Sequence, residues 1–308
     1  MNWLKKIKKI PALSTLIKLR HLPKQFENTL RQQQWAAIAP YSLQALNRTE
    51  SGIHPSKRPQ QLIISLTTYN LRIDNVYLVI ESLMQQTIKA DKIILWLSED
   101  EFSSENLPEI LKQQQKQGLT IGFCEDLGSY KKLIPTLEQY PEALIITADD
   151  DVIYPINHIE KLYDAYIKEP EFIHCQRGHL IKLDTDGKVK PYKQWQLSST
   201  YTEVSELIFP TTGAGVLFFP GCFDDEVFNN KLFQKICQNT DDIWFKIMAH
   251  RKGIKSKIVA NGIKWEDYLV IPSTIENGLW KQNRTNNDKH LKAILKAYPD
   301  VKFQNLLQ

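Results

Sequence analysis

Residues 144–155 have the sequence LIITADDDVIYP, in which an apolar run ends in three consecutive carboxylates and then resumes. The run predicts a buried β-strand over residues 143–148. If the strand stays regular through the acids, its period of two directs Asp149 and Asp151 to one side and Asp150 to the other. Two carboxylates at the carboxyl end of a strand can hold a hard divalent cation. The alternative is a polar loop whose Asp residues cap the next helix.

Strand-like and helix-like segments alternate on both sides of this stretch. Short runs rich in apolar and β-branched residues predict strands at residues 62–68, 92–97 and 119–124. Helical composition predicts helices at residues 131–140 and 156–167. This alternation predicts an α/β fold with a mixed, mainly parallel sheet flanked by helices. A strand-like run follows at residues 172–183, and beyond it the pattern becomes irregular, as in a second half that lines a pocket.

The beginning of the chain differs from this pattern. Residues 1–31 are basic and amphipathic, with Trp3, Leu4, Ile7 and Ile10 on one helical face. Such a helical extension can lie on an anionic membrane surface, or its apolar stripe can pack on its own domain. A polar stretch containing Gly and Pro at residues 47–60 indicates a linker.

Composition restricts the class of protein. The chain has 308 residues, of which 42% are hydrophobic and 24% charged, as in an ordinary globular protein. The net charge of +4 is too small to indicate binding to nucleic acid, and we predict no such partner. The four cysteines include no CxxC pair, which predicts neither a disulfide framework nor a zinc site and fits the cytoplasm. The sequence also shows neither the ~18 consecutive apolar residues of a membrane span nor a signal peptide.

Five motifs follow one another along the chain: SLTTY at 65–69, EDLGSYKK at 125–132, DDD at 149–151, TGAG at 212–215 and TDDIWF at 240–245. In this order they resemble the GT-A-fold nucleotide-sugar glycosyltransferases, close to the bacterial family-2-like enzymes of surface polysaccharide and lipopolysaccharide synthesis. The resemblance covers about residues 60–270. Five motifs in this order are a more specific signal than a carboxylate triplet alone.

The resemblance implies a site for a nucleotide-sugar donor, expected to be a UDP-sugar. In the family an Asp-x-Asp element holds Mn²⁺ or Mg²⁺ against the phosphates, and the ion acts as a Lewis acid for the leaving group. This implies that Asp149 and Asp151 are metal ligands and that Asp150 faces the ribose. The other expected donor-binding residues are Thr67, Tyr69, Arg72, Asp126, Lys131 and Lys132. The lysines could instead form a solvated helix start, and Asp126 could be a turn residue.

The resemblance also implies an acceptor site and a catalytic base. Gly213, Ala214 and Gly215 are expected beside the acceptor, although a bulge or tight turn would also explain the glycines. Inverting transfer to a hydroxyl needs a carboxylate that takes the acceptor proton. Asp242 is the expected base, and Asp241 is expected to position the hydroxyl. The alternative reading of this acidic pair is a helix cap that begins at Asn239.

Together these expectations describe a metal-dependent, inverting glycosyltransferase that moves a hexosyl or N-acetylhexosaminyl group. The acceptor is expected to be a hydroxyl of a surface glycan or a lipid-linked glycan. The expected location is the cytoplasm, on the inner face of the plasma membrane if residues 1–31 bind it. The expected division is an extension and linker at 1–58, a GT-A domain at 59–270 and a helical segment at 271–308.

Two other classes remain open. A sugar nucleotidyltransferase would use a glycine-rich phosphate loop after the first strand, whereas residues 65–72 contain no glycine. A non-catalytic carbohydrate-binding or assembly protein on the same fold would need neither the acidic triplet nor the acidic pair.

Overall fold

The computed structural model of this chain describes residues 11–56, 58–277 and 280–303. A long helix, α1 (Pro11–Asn47), precedes the first strand. The alternating half of the chain then consists of β1 (Leu62–Thr67), α2 (Val76–Met84), β2 (Lys92–Ser98), α3 (Glu109–Lys116), β3 (Leu119–Cys124), α4 (Ile134–Gln139) and β4 (Leu144–Thr147). The boundaries of these four strands lie within one residue of the predicted ones.

The second half contains shorter elements. They are β5 (Val152–Ile153), α5 (His158–Lys168), β6 (Ile173–Cys175), β7 (Gly178–Leu180), β8 (Ile208–Pro210), β9 (Val216–Phe218), α6 (Asn230–Ile236), α7 (Asp241–Arg251), β10 (Ser256–Ile258), β11 (Leu269–Val270) and α8 (Trp280–Ala297). Helix α7 ends in a Schellman motif, in which Gly253 has φ +80° and the Ile254 N–H donates to the Ala249 carbonyl at 2.9 Å.

Seven strands form the central sheet in the order β10-β6-β9-β4-β1-β2-β3. All neighbours pair in parallel except β9, which runs antiparallel to both β4 and β6. The predicted α/β fold with a mainly parallel sheet flanked by helices is therefore confirmed. Strand β1 lies between β2 and β4, and its Ser65 is in register with Thr147 of β4. The carboxyl ends of β1 and β4 consequently meet at one edge of the sheet.

Both faces of the sheet are covered, which explains why the parallel strands are uninterrupted apolar runs. Along β1, Leu62 and Ile64 pack into one hydrophobic cluster with α2, whereas Ile63 packs into a second cluster on the opposite face. The second cluster includes Trp244 and Phe245 of α7. Packing on both faces therefore fixes the position of β1, and residues 67–72 lie at the end of this strand.

Two of the predicted elements differ from the structure. The predicted strand at 172–183 is wrong as a single strand, because it divides into β6 of the central sheet and β7, which pairs with β8 in a separate sheet. The division occurs at Gly178, where an added Cβ would lie 3.1 Å from the side chains of Ile208 and Ile258. The predicted helix at 131–140 begins later, because residues Gly128–Lys132 form a 3₁₀ turn and α4 follows it.

Helix α1 and the segment after it contact the alternating half of the chain. Ile38 of α1 is 1% exposed, and the Ser42 hydroxyl lies 3.0 Å from the Tyr77 hydroxyl of α2. Beyond the helix, Arg48 forms an ion pair with the buried Glu81 at 2.5 Å. The predicted linker is thus tied to the sheet-bearing part of the molecule.

The amphipathic face predicted from Trp3, Leu4, Ile7 and Ile10 lies outside the described residues. No helix within residues 11–56, 58–277 and 280–303 combines the length and the apolar character needed to cross a membrane.

Candidate active site

A cavity of about 1080 Å³ opens where β1 and β4 end. It brings together nearly all of the residues singled out in the sequence, although they come from five separate stretches of chain. Those that line it are Thr67, Tyr69, Arg72, Asp126, Lys131, Lys132, Asp149, Asp150, Asp151, Gly213, Ala214, Asp241 and Asp242. Parallel strands place their carboxyl ends along one edge, so residues that follow different strands meet there.

The three acids after β4 do not follow the alternation expected of a strand. Strand β4 ends at Thr147, before the first acid, so the period of two does not extend to them. Asp149 Oδ1 accepts a hydrogen bond from Lys132 Nζ at 2.5 Å. Asp150 and Asp151 instead share Arg72, whose Nη1 lies 2.5 Å from Asp150 Oδ1 and 2.9 Å from Asp151 Oδ2.

Asp150 and Arg72 form a buried pair at the bottom of the cavity. The Thr68 hydroxyl donates to Asp150 Oδ2 at 2.6 Å, and Arg72 also donates to the Thr274 carbonyl at 3.3 Å. Burial acts to lower the pKa of Arg72, but the charges of Asp150 and Asp151 outweigh it and the pKa is raised. Arg72, expected to contact phosphate, therefore has two carboxylate partners in the structure.

Asp151 has the more exposed carboxylate of the two that share Arg72. Its side chain is 19% exposed, against 8% for Asp150. Burial and the nearby charge of Asp149 raise the pKa of Asp151 to about 7, with Arg72 acting in the opposite direction. A cation beside Asp151 would favour its charged form.

Both predicted phosphate-binding lysines are paired with carboxylates. Lys131 forms an ion pair with Asp126. The buried Lys132 lies between the two acidic groups, with Nζ 2.5 Å from Asp149 Oδ1 and 3.3 Å from Asp241 Oδ2. Burial acts to lower the pKa of Lys132, but the surrounding acids raise it overall, led by Asp149. Lys132 therefore does not lie at a solvated helix start.

The acidic pair opens helix α7, yet it does not cap the helix. The N-cap residue is Thr240, and its side chain makes no capping hydrogen bond. Asp242 Oδ1 instead accepts from the Thr212 N–H at 2.9 Å and from the Thr212 hydroxyl at 2.6 Å. Burial and the charge of Asp241 raise the pKa of Asp242 to about 6, while Lys132 and Thr212 oppose this. Asp242 is thus a partly exposed carboxylate whose pKa is raised above the usual value.

Tyr154 connects the acidic triplet to the turn that contains Gly213. Its buried hydroxyl accepts from the Asp149 N–H at 2.8 Å and donates to the Gly213 carbonyl at 2.8 Å. A Cβ at Gly213 would overlap Asp149 Oδ2. The missing side chain therefore makes room for a carboxylate of the site itself. The sequence reasoning did not identify Tyr154, although a tyrosine inside the apolar run after the acids was a visible signal.

Gly215 is the one expected site residue that does not line the cavity. It has φ +90°, and a Cβ there would overlap the ring of His158. His158 is fully buried, and burial lowers its pKa to about 3, so the ring is neutral. Only glycine allows the chain to turn this close to the ring, so Gly215 has a packing role, and its contact with an acceptor stays a prediction.

No third metal ligand is evident among the residues that the structure describes. His250 Nε2 bonds to the Lys302 carbonyl, and His290 Nδ1 bonds to the Thr240 hydroxyl. The described residues contain no group of three or more His, Cys, Asp or Glu side chains arranged for a metal ion.

The opposite side of the cavity is aromatic and includes one further cation. Its lining there comprises Arg177, His179, Tyr192, Leu197 and Trp265. The Arg177 guanidinium carbon lies 4.7 Å from the centroid of the Trp265 ring. None of these five residues is among the site residues that the resemblance implies.

Comparisons with known proteins give partial structural similarity only. No protein-family model and no curated protein sequence matches the chain. Among solved structures, S. aureus TarS 1–349 in complex with UDP shares 14% identity and a TM-score of 0.42, covering 65% of this chain and 57% of that chain. A second S. aureus TarS 1–349 structure has 16% identity, the same coverage and the same TM-score of 0.42. A longer TarS structure has 15% identity and a TM-score of 0.41, covering 65% of this chain and 34% of that chain.

This chain spans less than two thirds of the length of each TarS structure. At these TM-scores the similarity supports no conclusion about activity. A function therefore has to be inferred from the cavity itself.

Proposed function

We propose that this chain is a metal-dependent GT-A glycosyltransferase that transfers a sugar from a UDP-sugar to an acceptor hydroxyl, with inversion. One observation carries the proposal: a single cavity contains the acidic triplet after β4 and the acidic pair that begins α7. Such a transferase needs one acidic group to bind the donor's metal and another to accept a proton. A binding protein on this fold needs neither, and residues 65–72 provide no glycine-rich loop for a nucleotidyltransferase.

The charge balance of the cavity supports a divalent cation. Its described lining includes seven Asp and Glu side chains but only four Lys and Arg side chains. A nucleoside diphosphate adds further negative charge, so it would be repelled without a compensating cation. Asp149 and Asp151 each use one oxygen in an ion pair, and neither second oxygen has a hydrogen bond within the described part of the chain. These hard oxygens fit Mn²⁺ or Mg²⁺ bound by two carboxylates and the donor phosphates.

The metal, when bound, would act as a Lewis acid for the leaving diphosphate. The chain's own residues then have separate tasks at the donor end. Tyr69 stacks on the base, and Thr67 and Asp126 contact the nucleoside at the edge of the sheet. Asp150 holds Arg72 in place, and Arg72 supplies positive charge next to the phosphates. Lys131 and Lys132 add charge to the same region.

Asp242 is proposed to accept the acceptor's proton. A general base works best when its pKa lies near the operating pH, and the raised pKa of about 6 satisfies this better than that of an ordinary carboxylate. Thr212 holds Oδ1, and Oδ2 makes no hydrogen bond with any residue described in the structure. Asp241 positions the hydroxyl beside it. Inversion is part of the proposal because Asp242 offers a base for direct attack by the acceptor hydroxyl.

The transferred group is proposed to be a hexosyl or N-acetylhexosaminyl residue. The acceptor is proposed to be a surface glycan or a lipid-linked glycan, reached from the cytoplasmic face of the membrane through residues 1–31. These parts of the proposal come from the sequence resemblance.

Thermal unfolding with UDP and Mn²⁺, alone and together, tests the proposal. UDP should stabilise the wild-type chain only when Mn²⁺ is present, and Asp151→Ala should abolish this effect because one of two metal ligands is lost. Asp164→Ala is the matched control, since Asp164 is exposed on α5. Indifference to both ligands would favour a non-catalytic binding protein. Stronger stabilisation by UTP than by UDP would favour a nucleotidyltransferase.

A further inference from the structure

Arg177 differs from the other cationic side chains of the cavity. Arg72, Lys131 and Lys132 each form an ion pair with an aspartate. Arg177 has no carboxylate within ion-pairing distance anywhere in the described ranges, and its one side-chain hydrogen bond runs from Nε to the Ser198 hydroxyl at 3.1 Å. Its two terminal nitrogens have no protein partner among those residues, yet they are not sealed from solvent. They are therefore available to a ligand in the cavity.

The guanidinium is held in one place by its surroundings. Trp265 lies against its face, with 4.7 Å between the guanidinium carbon and the ring centroid. Trp265 in turn stacks on Tyr268 at 5.6 Å, and the Tyr268 hydroxyl donates to the Ala214 carbonyl at 3.1 Å. Ser198 fixes the Nε edge. A planar guanidinium fixed on one edge and one face keeps its other two donors in the fork that suits an oxyanion.

The Arg177 backbone is hydrogen-bonded to the residue next to the one that holds the proposed base. The Thr211 N–H and hydroxyl both donate to the Arg177 carbonyl, at 3.1 and 3.2 Å. The next residue, Thr212, holds Asp242. Arg177 and Asp242 line the same cavity and form no ion pair within the described residues. Burial lowers the pKa of Arg177, while Tyr192 and the charge of Asp242 act in the opposite direction. An anion bound by Arg177 would therefore share the cavity with the hydroxyl that Asp242 deprotonates.

The indole of Trp265 provides the second half of the subsite. Trp265 is 37% exposed and lines the cavity. Arg177 and Tyr268 lie against its ring, so the part of the indole that they leave uncovered forms an apolar edge beside the donor fork. This combination is suited to a sugar ring that carries a charged substituent.

We propose that Arg177 and Trp265 form an acceptor subsite that binds an oxyanion, a carboxylate or a phosphate, carried by the acceptor glycan. This rests on the proposed function, because it takes the acceptor hydroxyl to lie at Asp242. The same fork could instead bind the donor's diphosphate, and the test separates these two sources.

The probes are two matched pairs of small molecules: methyl β-D-glucuronide against methyl β-D-glucoside, and glycerol 3-phosphate against glycerol. Binding is measured by ligand-observed NMR on the full chain saturated with UDP and Mg²⁺. We expect at least one anionic probe to bind about tenfold more tightly than its neutral partner, the factor for one charge-assisted hydrogen-bonded contact. Equal binding of charged and neutral partners in both pairs would overturn the proposal.

Variants assign the preference to the subsite. Arg177→Gln should remove the anionic preference and leave the affinity for UDP with Mg²⁺, measured by calorimetry, unchanged. The control Lys193→Gln, an exposed cation nearby, should behave as wild type. If Arg177→Gln lowers the affinity for UDP and keeps the anionic preference, the fork binds the donor instead, and the proposal is wrong.

Trp265→Leu gives a second measurement that does not depend on the stability of the arginine variant. It should weaken methyl β-D-glucuronide and methyl β-D-glucoside by a similar factor, since it removes the indole surface on which the sugar ring packs. Unchanged binding in this variant would contradict the subsite. UDP stabilisation with metal is measured in all of these proteins as well. If it is retained while the anionic preference is absent, the subsite is wrong but the proposed function is not.

Discussion

Thr212 and Lys132 are the two residues that join the ends of the site. The Thr212 hydroxyl lies 2.6 Å from Asp242 Oδ1 and 3.2 Å from Asp241 Oδ2. Lys132 Nζ is 3.3 Å from the same hydroxyl and also contacts Asp149. The charge at the metal-binding end and the charge at the base are therefore linked through one buried ammonium group. In such a network the ionisation of each member depends on the others.

Asp242→Asn should remove turnover and leave metal-dependent UDP binding intact, because the amide cannot accept the acceptor proton. A fall of about 10²–10⁴-fold in kcat is expected for loss of a general base. For the wild type, the base works only when deprotonated. The value of kcat/KM should therefore rise as the pH increases through about 6, the raised pKa of Asp242.

Steady-state assays of UDP release across this pH range measure both effects. Full activity of Asp242→Asn would refute the assignment of the base, as would a wild-type profile that is flat through pH 6.

Tyr154→Phe should loosen the turn that carries Asp149. The change deletes one hydroxyl that satisfies both the Asp149 N–H and the Gly213 carbonyl. Leaving buried polar groups unpaired costs about 1–3 kcal/mol, so the free energy of unfolding should fall by this amount. The affinity for Mn²⁺ with UDP should also fall.

Chemical denaturation and calorimetry provide the two measurements for Tyr154→Phe. Tyr163→Phe is the control, because no hydrogen bond of the Tyr163 hydroxyl is found within the described ranges. If both variants lose equal stability, the bridging role of Tyr154 is wrong.

Among the elements, α1 has one face on the domain and another in solvent. Ile38 and Ala45 are buried, at 1% and 0% exposure, whereas Leu43 and Leu46 are 62% and 61% exposed. Below the helix, the Arg48–Glu81 ion pair closes the junction with α2. At least the later turns of α1 therefore belong to the folded core. The stripe predicted for residues 1–31 lies mostly outside the described residues, and its packing stays a prediction.

Ile38→Ala should lower the free energy of unfolding by about 2–4 kcal/mol, because it leaves a cavity between α1 and the domain. Leu43→Ala on the exposed face should change it by less than about 0.5 kcal/mol. Urea denaturation of the two variants is the measurement. Similar values for both would mean that α1 does not pack as described.

For the whole molecule, the basic amphipathic segment precedes the part of α1 whose contacts with the domain are described. Residues 1–31 carry the basic amphipathic pattern, whereas Ile38, Ala45 and Arg48 provide the contacts with the domain. Deleting residues 1–31 should therefore abolish sedimentation with vesicles that contain phosphatidylglycerol and leave metal-dependent UDP stabilisation in place. Loss of the basic residues removes the attraction to anionic lipid.

Vesicles of phosphatidylcholine alone are the matched control for the truncation, since they lack the negative surface charge. Unchanged sedimentation of the truncated chain with the anionic vesicles would exclude an anchor in residues 1–31.

The alternating half of the fold could be read from local patterns. Strands β1 to β4 are buried on both faces, so each is a short apolar run bounded by polar residues, and such runs are visible without any contact information. The same patterns predicted that residues after separate strands would meet, and Asp126, Asp149 and Tyr69 do line one cavity. Parallel pairing alone places them there.

The ion pairs and bridging hydrogen bonds within the cavity could not be predicted from local patterns and are seen only in the folded structure. Arg72 forms ion pairs with both Asp150 and Asp151. This is possible because β4 ends before the acids, so their side chains do not alternate between the two sides as they would in a strand. Tyr154 reaches Gly213, and Arg177 reaches Trp265, across long separations in sequence. Periodicity reports which way a side chain faces within its own element. Which partner it meets depends on how the elements pack, and that is decided by the tertiary fold.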